Sequence, residues 1–196
     1  MIERYSRKEM ASIWELDRKF SCYLAVELAV IKAQVELGNF DSEVYDEIKK
    51  TAKFDVKRID EIEKITKHDL IAFLENVNEN VDRKFSPYIH KGLTSSDVID
   101  TALALQIKDA SIIINKDLDS VIEAVKSLAK THKYTVCLGR SHGMAAEVIT
   151  FGFKLLNLLD NLLRAKERFN FALKEVLTGQ ISGPCGSYSN IDPEVE

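Results

Sequence analysis

Proline and glycine are scarce, three and eight in 196 residues, and they fall at the ends of long periodic runs. This is the punctuation of an all-α chain and leaves little room for a turn-rich fold. Long apolar runs are missing as well. Lys, Asp or Asn breaks every candidate segment within a few residues, which excludes a membrane span, and Met1-Ile2-Glu3-Arg4 lacks the apolar core of a signal peptide. The expected location is therefore cytoplasmic. Cysteine is limited to Cys22, Cys137 and Cys185, an odd and widely spaced set that fits neither a disulfide framework nor a zinc site, so no metal is expected. Basic residues are not in excess: 27 Lys and Arg stand against 31 Asp and Glu, a net charge of -4. That balance argues against nucleic acid as a partner, while a local cationic pocket for an anionic small molecule stays open. What is present, 45% hydrophobic and 30% charged residues, suffices for a sizeable core in water.

Periodicity organises the chain. Ser6-Arg7-Lys8-Glu9 has the capping-box pattern, in which the serine hydroxyl and glutamate carboxylate satisfy free helix amides. Phe20, Leu24, Leu28, Ile31 and Val35 recur at three- and four-residue steps and predict a helix that ends at Gly38. Asp41 is expected to cap a helix carrying Val44 and Ile48. Asp55 is expected to cap another with Ile59, Ile62 and Ile65, and Leu70, Phe73, Leu74 and Val77 make a further stripe. From Val98 to about Lys133 neither proline nor glycine occurs. A helix of that length, roughly 50 Å, asks for a long bundle. A second run, Val148 to about Leu177, has Leu155, Leu158, Leu159, Leu162 and Leu163 on more than one face, which predicts burial against partner helices or subunits and hence a homo-oligomer.

Four stretches carry candidate chemistry, each with a plainer alternative. In Thr135 to Gly152 a histidine, His142, sits in a glycine-flanked break between two helical runs, behind Arg140 and Ser141. Such a turn can present an imidazole to a cleft, or hold a loop histidine with no task. Lys67-His68-Asp69 places a base, an imidazole and a carboxylate at a helix start, where an Asp or Thr N-cap beside an incidental histidine is the simpler reading. His90 and Lys91 lead into Thr94-Ser95-Ser96-Asp97. Three hydroxyls before an acidic first turn offer more than one cap needs, and the helix end favours a carboxylate or phosphate. Thr178 to Ser187, rich in glycine and serine, is either a turn or short hairpin with backbone amides open to a ligand, or an ordinary surface loop.

Taken together, the order Arg4-Tyr5-Ser6, Lys67-His68-Asp69-Leu70, His90 to Ala102 (HKGLTSSDVIDTA), Gly139-Arg140-Ser141-His142-Gly143 and Gly183 to Tyr188 (GPCGSY) resembles the adenylosuccinate lyases, within the fumarase and aspartase superfamily. The resemblance covers essentially the whole chain, and GLTSSDVIDTA is its most specific word. Argininosuccinate lyases and fumarases differ there, whereas the muconate cycloisomerase branch carries a closer word, usually with glutamine after the first serine.

The resemblance implies a small helical domain over 1–93, followed over 94–196 by the first long helices of a fumarase/aspartase-type central bundle. It implies an enzyme of purine biosynthesis that works by β-elimination. Adenylosuccinate gives AMP and fumarate, and succinylaminoimidazole carboxamide ribotide loses fumarate likewise, with no cofactor. His142 would be the general acid and His68 would orient the substrate, with Asp69 and Lys67 beside it. Thr94, Ser95 and Ser96 would hold the succinyl carboxylates. Arg4 and Tyr5 would meet the phosphate and ribose side, with His90 and Lys91 as further cationic contacts. Arg140 and Ser141 would bind either end of the ligand, and Ser187 would play a lesser part. The superfamily's serine base, on a loop with a Met-Pro-x-Lys core, would lie beyond position 196. The 196 residues alone are thus expected to be inactive, an N-terminal portion of a homotetrameric enzyme. Two alternatives remain: an inert helical module that associates or binds nucleotide, and a sister enzyme acting on a carboxymuconate.

Overall fold

A computed structural model of the chain describes residues 2–196. Seven α-helices occur among them: α1 (Lys8–Ala11), α2 (Leu16–Glu36), α3 (Ser42–Thr51), α4 (Val56–Thr66), α5 (Asp69–Asn78), α6 (Ser95–Thr131) and α7 (Phe151–Val176). A single hairpin, β1 (Val136–Ser141) and β2 (Met144–Thr150), joins the last two. The chain divides into two compact units, 1–109 with 177–196, and 110–176.

In the first unit α2 is the central element, and its buried residues include Phe20, Tyr23, Val26, Val30 and Ile31. Phe20 stacks on Phe73 of α5 at 5.6 Å, and Tyr23 meets the same ring edge-on at 5.5 Å, arrangements that add to the burial itself. Val44 and Ile48 of α3 and Ile59 and Ile62 of α4 complete the core around them. Of the stripe expected on α2, Phe20 and Ile31 are buried, while Leu24, Leu28 and Val35 are half-buried at the edge of a face centred on Tyr23, Glu27, Val30 and Gln34. Ile65 departs from expectation and is exposed, one residue before α4 ends, while Ile59 and Ile62 form the buried side of that helix.

The caps sort into those that form and those that do not. Asp55 accepts the Arg58 N–H at 2.9 Å, as expected, and Gly38 follows α2 at φ +75°. The capping box at Ser6 does not form: Arg7 is the N-cap of α1 and its side chain does not cap the helix, and Ser6 instead donates to the Ile2 carbonyl at 3.0 Å. Asp41 holds the N-cap position of α3 without a side-chain bond. Between α4 and α5, buried Asn76 accepts the Asp55 N–H at 2.8 Å and donates to Glu79 at 3.1 Å. Arg58 also binds Glu79, and Arg58 first and Asn76 second hold that carboxyl below its ordinary value.

In the second unit the final turns of α6 run beside the start of α7. Gly152 makes this approach possible, since a Cβ there would stand 2.5 Å from the Ala129 carbonyl oxygen. Lys166 of α7 pairs with Asp119 of α6 further along, which makes the two helices antiparallel neighbours. The segment 136–150 is where the structure departs most from the helical reading: Val148, expected in a helix, belongs to β2, and α7 begins at Phe151. Leu138 pairs with Val148, and a bulge follows between Leu138 and Arg140. Much apolar surface stays uncovered in this unit. Gly152 is the buried residue of α7, and Val136, Met144 and Val148 of the hairpin are exposed.

Candidate active site

The sharp corner between α4 and α5 is built by Lys67, which adopts a left-handed conformation at φ +55° as the C-cap of α4. The chain turns at once into α5, and His68 itself is the N-cap, with Nδ1 accepting the Ile71 N–H at 3.4 Å. The simpler reading of an Asp or Thr cap is thereby replaced by an imidazole cap. A ring nitrogen that accepts leaves the other to carry the hydrogen, and Nε2 faces the Ser95 hydroxyl at 3.4 Å. Two motifs read separately in the sequence, Lys67-His68-Asp69 and the hydroxyl cluster, therefore meet.

Asp69 is tied on both sides. One oxygen accepts the Leu70 N–H at 2.8 Å and the other meets Lys19 Nζ at 3.3 Å. Burial works to lower the Lys19 ammonium, but the Tyr23 hydroxyl and the Asp69 carboxylate outweigh it, so Lys19 stands above the ordinary lysine value. A cleft of about 470 Å³ opens here, lined by Lys19, Lys67, His68 and Asp69 over an apolar floor that includes Phe20 and Ile59.

At the start of α6 the hydroxyls are organised by Asp97, whose side chain is fully buried. Its carboxylate accepts the Thr94 N–H at 2.9 Å, half of a capping box. The same carboxylate accepts the Ser182 N–H at 3.1 Å and the Gly183 N–H at 3.1 Å. The glycine- and serine-rich tail is thus bonded directly to the helix start. It packs closely there, because a Cβ on Gly92 would stand 2.5 Å from the Asn190 carbonyl oxygen. Ser95 is half-buried and Ser96 exposed. Ser187 lies on the exposed part of the tail, with its Oγ 2.8 Å from that of Ser189.

The remaining predicted residues make other contacts. His90 binds Glu27 of α2 through both its backbone and its ring. Lys91 lies over the rings of Phe40 and Tyr88 at 5.2 and 5.5 Å and lines a second cleft of about 370 Å³ with Gln34, Asn39 and Tyr188. Arg4 and Tyr5 share a one-turn 3-10 helix, the guanidinium 4.8 Å from the tyrosine ring centre. In the second unit, Arg140 and Ser141 end β1, and His142-Gly143 form the two-residue loop with φ +51° and +75°. Positive φ at both positions is the type I′ geometry that suits the twist of paired strands. His142 is exposed at the tip, and Arg140 donates to the Gly143 carbonyl at 3.3 Å.

Three participants escaped the sequence reading. Asp97 had a signal, since Thr-x-x-Asp at a helix start is a capping box. Glu27 had one too: it lies seven residues after Phe20 and four before Ile31, on the buried face. Lys19 had none beyond its charge. Among the described residues no group of three His, Cys, Asp or Glu side chains is placed to hold a metal ion, and no helix is long and apolar enough to cross a membrane.

The chain is mostly helical, with the His68 imidazole beside the hydroxyl-bearing start of α6. The lyase family model matches residues 2–196, and the chain belongs to that family. Among curated proteins it is 50% identical to the adenylosuccinate lyase of Synechocystis sp., 49% to that of Aquifex aeolicus and 45% to that of Bacillus subtilis. Each match takes in 100% of this chain and 45% of the relative, so the chain spans less than half their length. Among solved structures, a fumarate lyase from Mesorhizobium sp. superposes with a TM-score of 0.90 at 25% identity, over 97% of this chain and 46% of that one. The β-carboxy-cis,cis-muconate cycloisomerase of Acinetobacter calcoaceticus gives 0.86 at 27%, over 96% and 46%.

Proposed function

We propose that these residues serve an adenylosuccinate lyase, which eliminates fumarate from adenylosuccinate to leave AMP and from succinylaminoimidazole carboxamide ribotide in the same way. The observation that carries this reading is the meeting of His68 Nε2 with Ser95 Oγ at 3.4 Å. It joins a ring N–H donor to the hydroxyls of Thr94, Ser95 and Ser96 at the start of α6, where a carboxylate is best held.

The chemistry has three requirements. A proton must leave carbon beside a carboxylate, the resulting dianion must be stabilised, and the departing nitrogen must be protonated. The hydroxyls and amides at the start of α6, with His68 beside them, suit the second task, and Lys67 lines the adjoining cleft with His68. His142, accessible on a tight turn, suits the third. The first falls to a serine that the family resemblance puts outside these 196 residues, so the chain by itself does not turn substrate over. Copies associate, as a homotetramer in the complete enzyme, and the uncovered apolar faces of α7 and the hairpin support this. The enzyme works in the cytoplasm with no cofactor.

The muconate cycloisomerase likeness supports a sister reading, but at 27% identity against 45–50% for the adenylosuccinate lyases it is the weaker one. Isothermal calorimetry on the purified chain tests the choice. AMP is expected to bind measurably and a carboxymuconate not to; the reverse order would replace the nucleotide reading with the sister one.

A further inference from the structure

Glu27 is a carboxylate in the middle of α2 with 1% of its surface exposed. A buried charge is costly unless it is paired and hydrogen-bonded. Both oxygens are engaged, and both by one residue. Oε2 accepts the backbone N–H of His90 at 2.9 Å, and Oε1 lies 2.7 Å from its Nδ1. His90 in turn holds a left-handed backbone conformation, φ +61°, which few residues other than glycine adopt without cost and which tends to persist where surroundings enforce it. Both contacts to Glu27 are made in that conformation, and together they orient the ring. An ionised carboxylate can only accept, so Nδ1 carries a hydrogen and points inward. The ring side chain remains 22% exposed while that of Glu27 is 2% exposed, which leaves Nε2 as the nitrogen available to a ligand.

We infer that Glu27 is a positioning residue: it fixes His90 with Nδ1–H turned inward so that Nε2 meets the phosphate of a bound nucleotide. The ligand half of this inference rests on the nucleotide reading above; the orientation half does not. A phosphate bound before Nε2 shares a hydrogen with it, drawn from the phosphate's own acidic O–H or from water, so that each ring nitrogen bears one hydrogen while the Glu27 carboxylate lies behind Nδ1. The hydrogen bond to phosphate is then charge-assisted, roughly twice as strong as a neutral one.

The test uses the 196-residue chain labelled with ¹⁵N at histidine and long-range proton–nitrogen correlation of His90. Nδ1 is expected to give the signal of a hydrogen-bearing nitrogen, and Nε2 to move to that form on titration with AMP and with inorganic phosphate. Glu27→Gln keeps the shape but presents an amide donor to Nδ1. It is expected to turn the ring to the Nε2–H form and weaken AMP binding by about tenfold with helical circular dichroism unchanged. A hydrogen-free Nδ1 in the unsubstituted chain, or unchanged AMP affinity in Glu27→Gln, would overturn the positioning role. If the substitution unfolds the chain, the nitrogen assignment in the unsubstituted protein decides the matter. A response of Nε2 to inorganic phosphate but not to AMP would keep Glu27 in its role and overturn the nucleotide reading.

Discussion

His142→Asn is expected to lower kcat for fumarate release by about 10²–10⁴-fold when these 196 residues replace the matching segment of the Synechocystis adenylosuccinate lyase. Asparagine is the informative substitution because the residue sits at φ +51° before Gly143, and Asn-Gly is the favoured pair for a type I′ turn. The hairpin is thereby preserved and only the titrating ring is removed. An acid that acts on the departing nitrogen contributes in the transition state and not to substrate capture, so kcat and kcat/KM should fall together with little change in the affinity for AMP. Steady-state absorbance of fumarate measures the first two and calorimetry the third. An unchanged kcat would remove His142 from the mechanism.

The second large effect is on stability. Asp97→Ala is expected to destabilise the 196-residue chain by about 3 kcal/mol or more, because three backbone donors lose their acceptor at about 1–3 kcal/mol each. The groups are the N–H of Thr94, Ser182 and Gly183. Against the 5–15 kcal/mol typical of a folded domain, such a loss leaves a visible unfolded fraction in mild denaturant. Asp97→Asn retains one acceptor oxygen and should fall between. Urea unfolding followed by circular dichroism checks both. A change below about 0.5 kcal/mol for the alanine variant would mean that the tail and the start of α6 are held together by something else.

The helices were legible because apolar residues at three- and four-residue steps report burial directly. Val44, Ile48, Ile59, Ile62 and Phe73 are buried as their spacing demands. Caps were less legible, since a hydroxyl or carboxylate before a helix has other bonds open to it. Ser6 reaches back to the Ile2 carbonyl instead of forward. The hairpin was hidden by its exposure. With Val136, Leu138, Met144 and Val148 all exposed, there is no alternation of apolar and polar residues to betray two strands, and only the His-Gly pair at the turn hinted at them. The corner at His68 was visible as a polar cluster, but its contact with Ser95, 27 residues on, depends on how α5 packs against α6. The partnership of Glu27 with His90 spans 63 residues and was legible only as a carboxylate on an apolar face.

The most direct measurement is fumarate release from adenylosuccinate by the folded chimera, with the 196-residue chain assayed beside it. Steady turnover by the chimera and none by the chain alone is the outcome expected if these helices supply the imidazoles and hydroxyls of an adenylosuccinate lyase whose base lies elsewhere. A folded, assembled chimera that binds adenylosuccinate without releasing fumarate, or turnover by the chain alone, would contradict it.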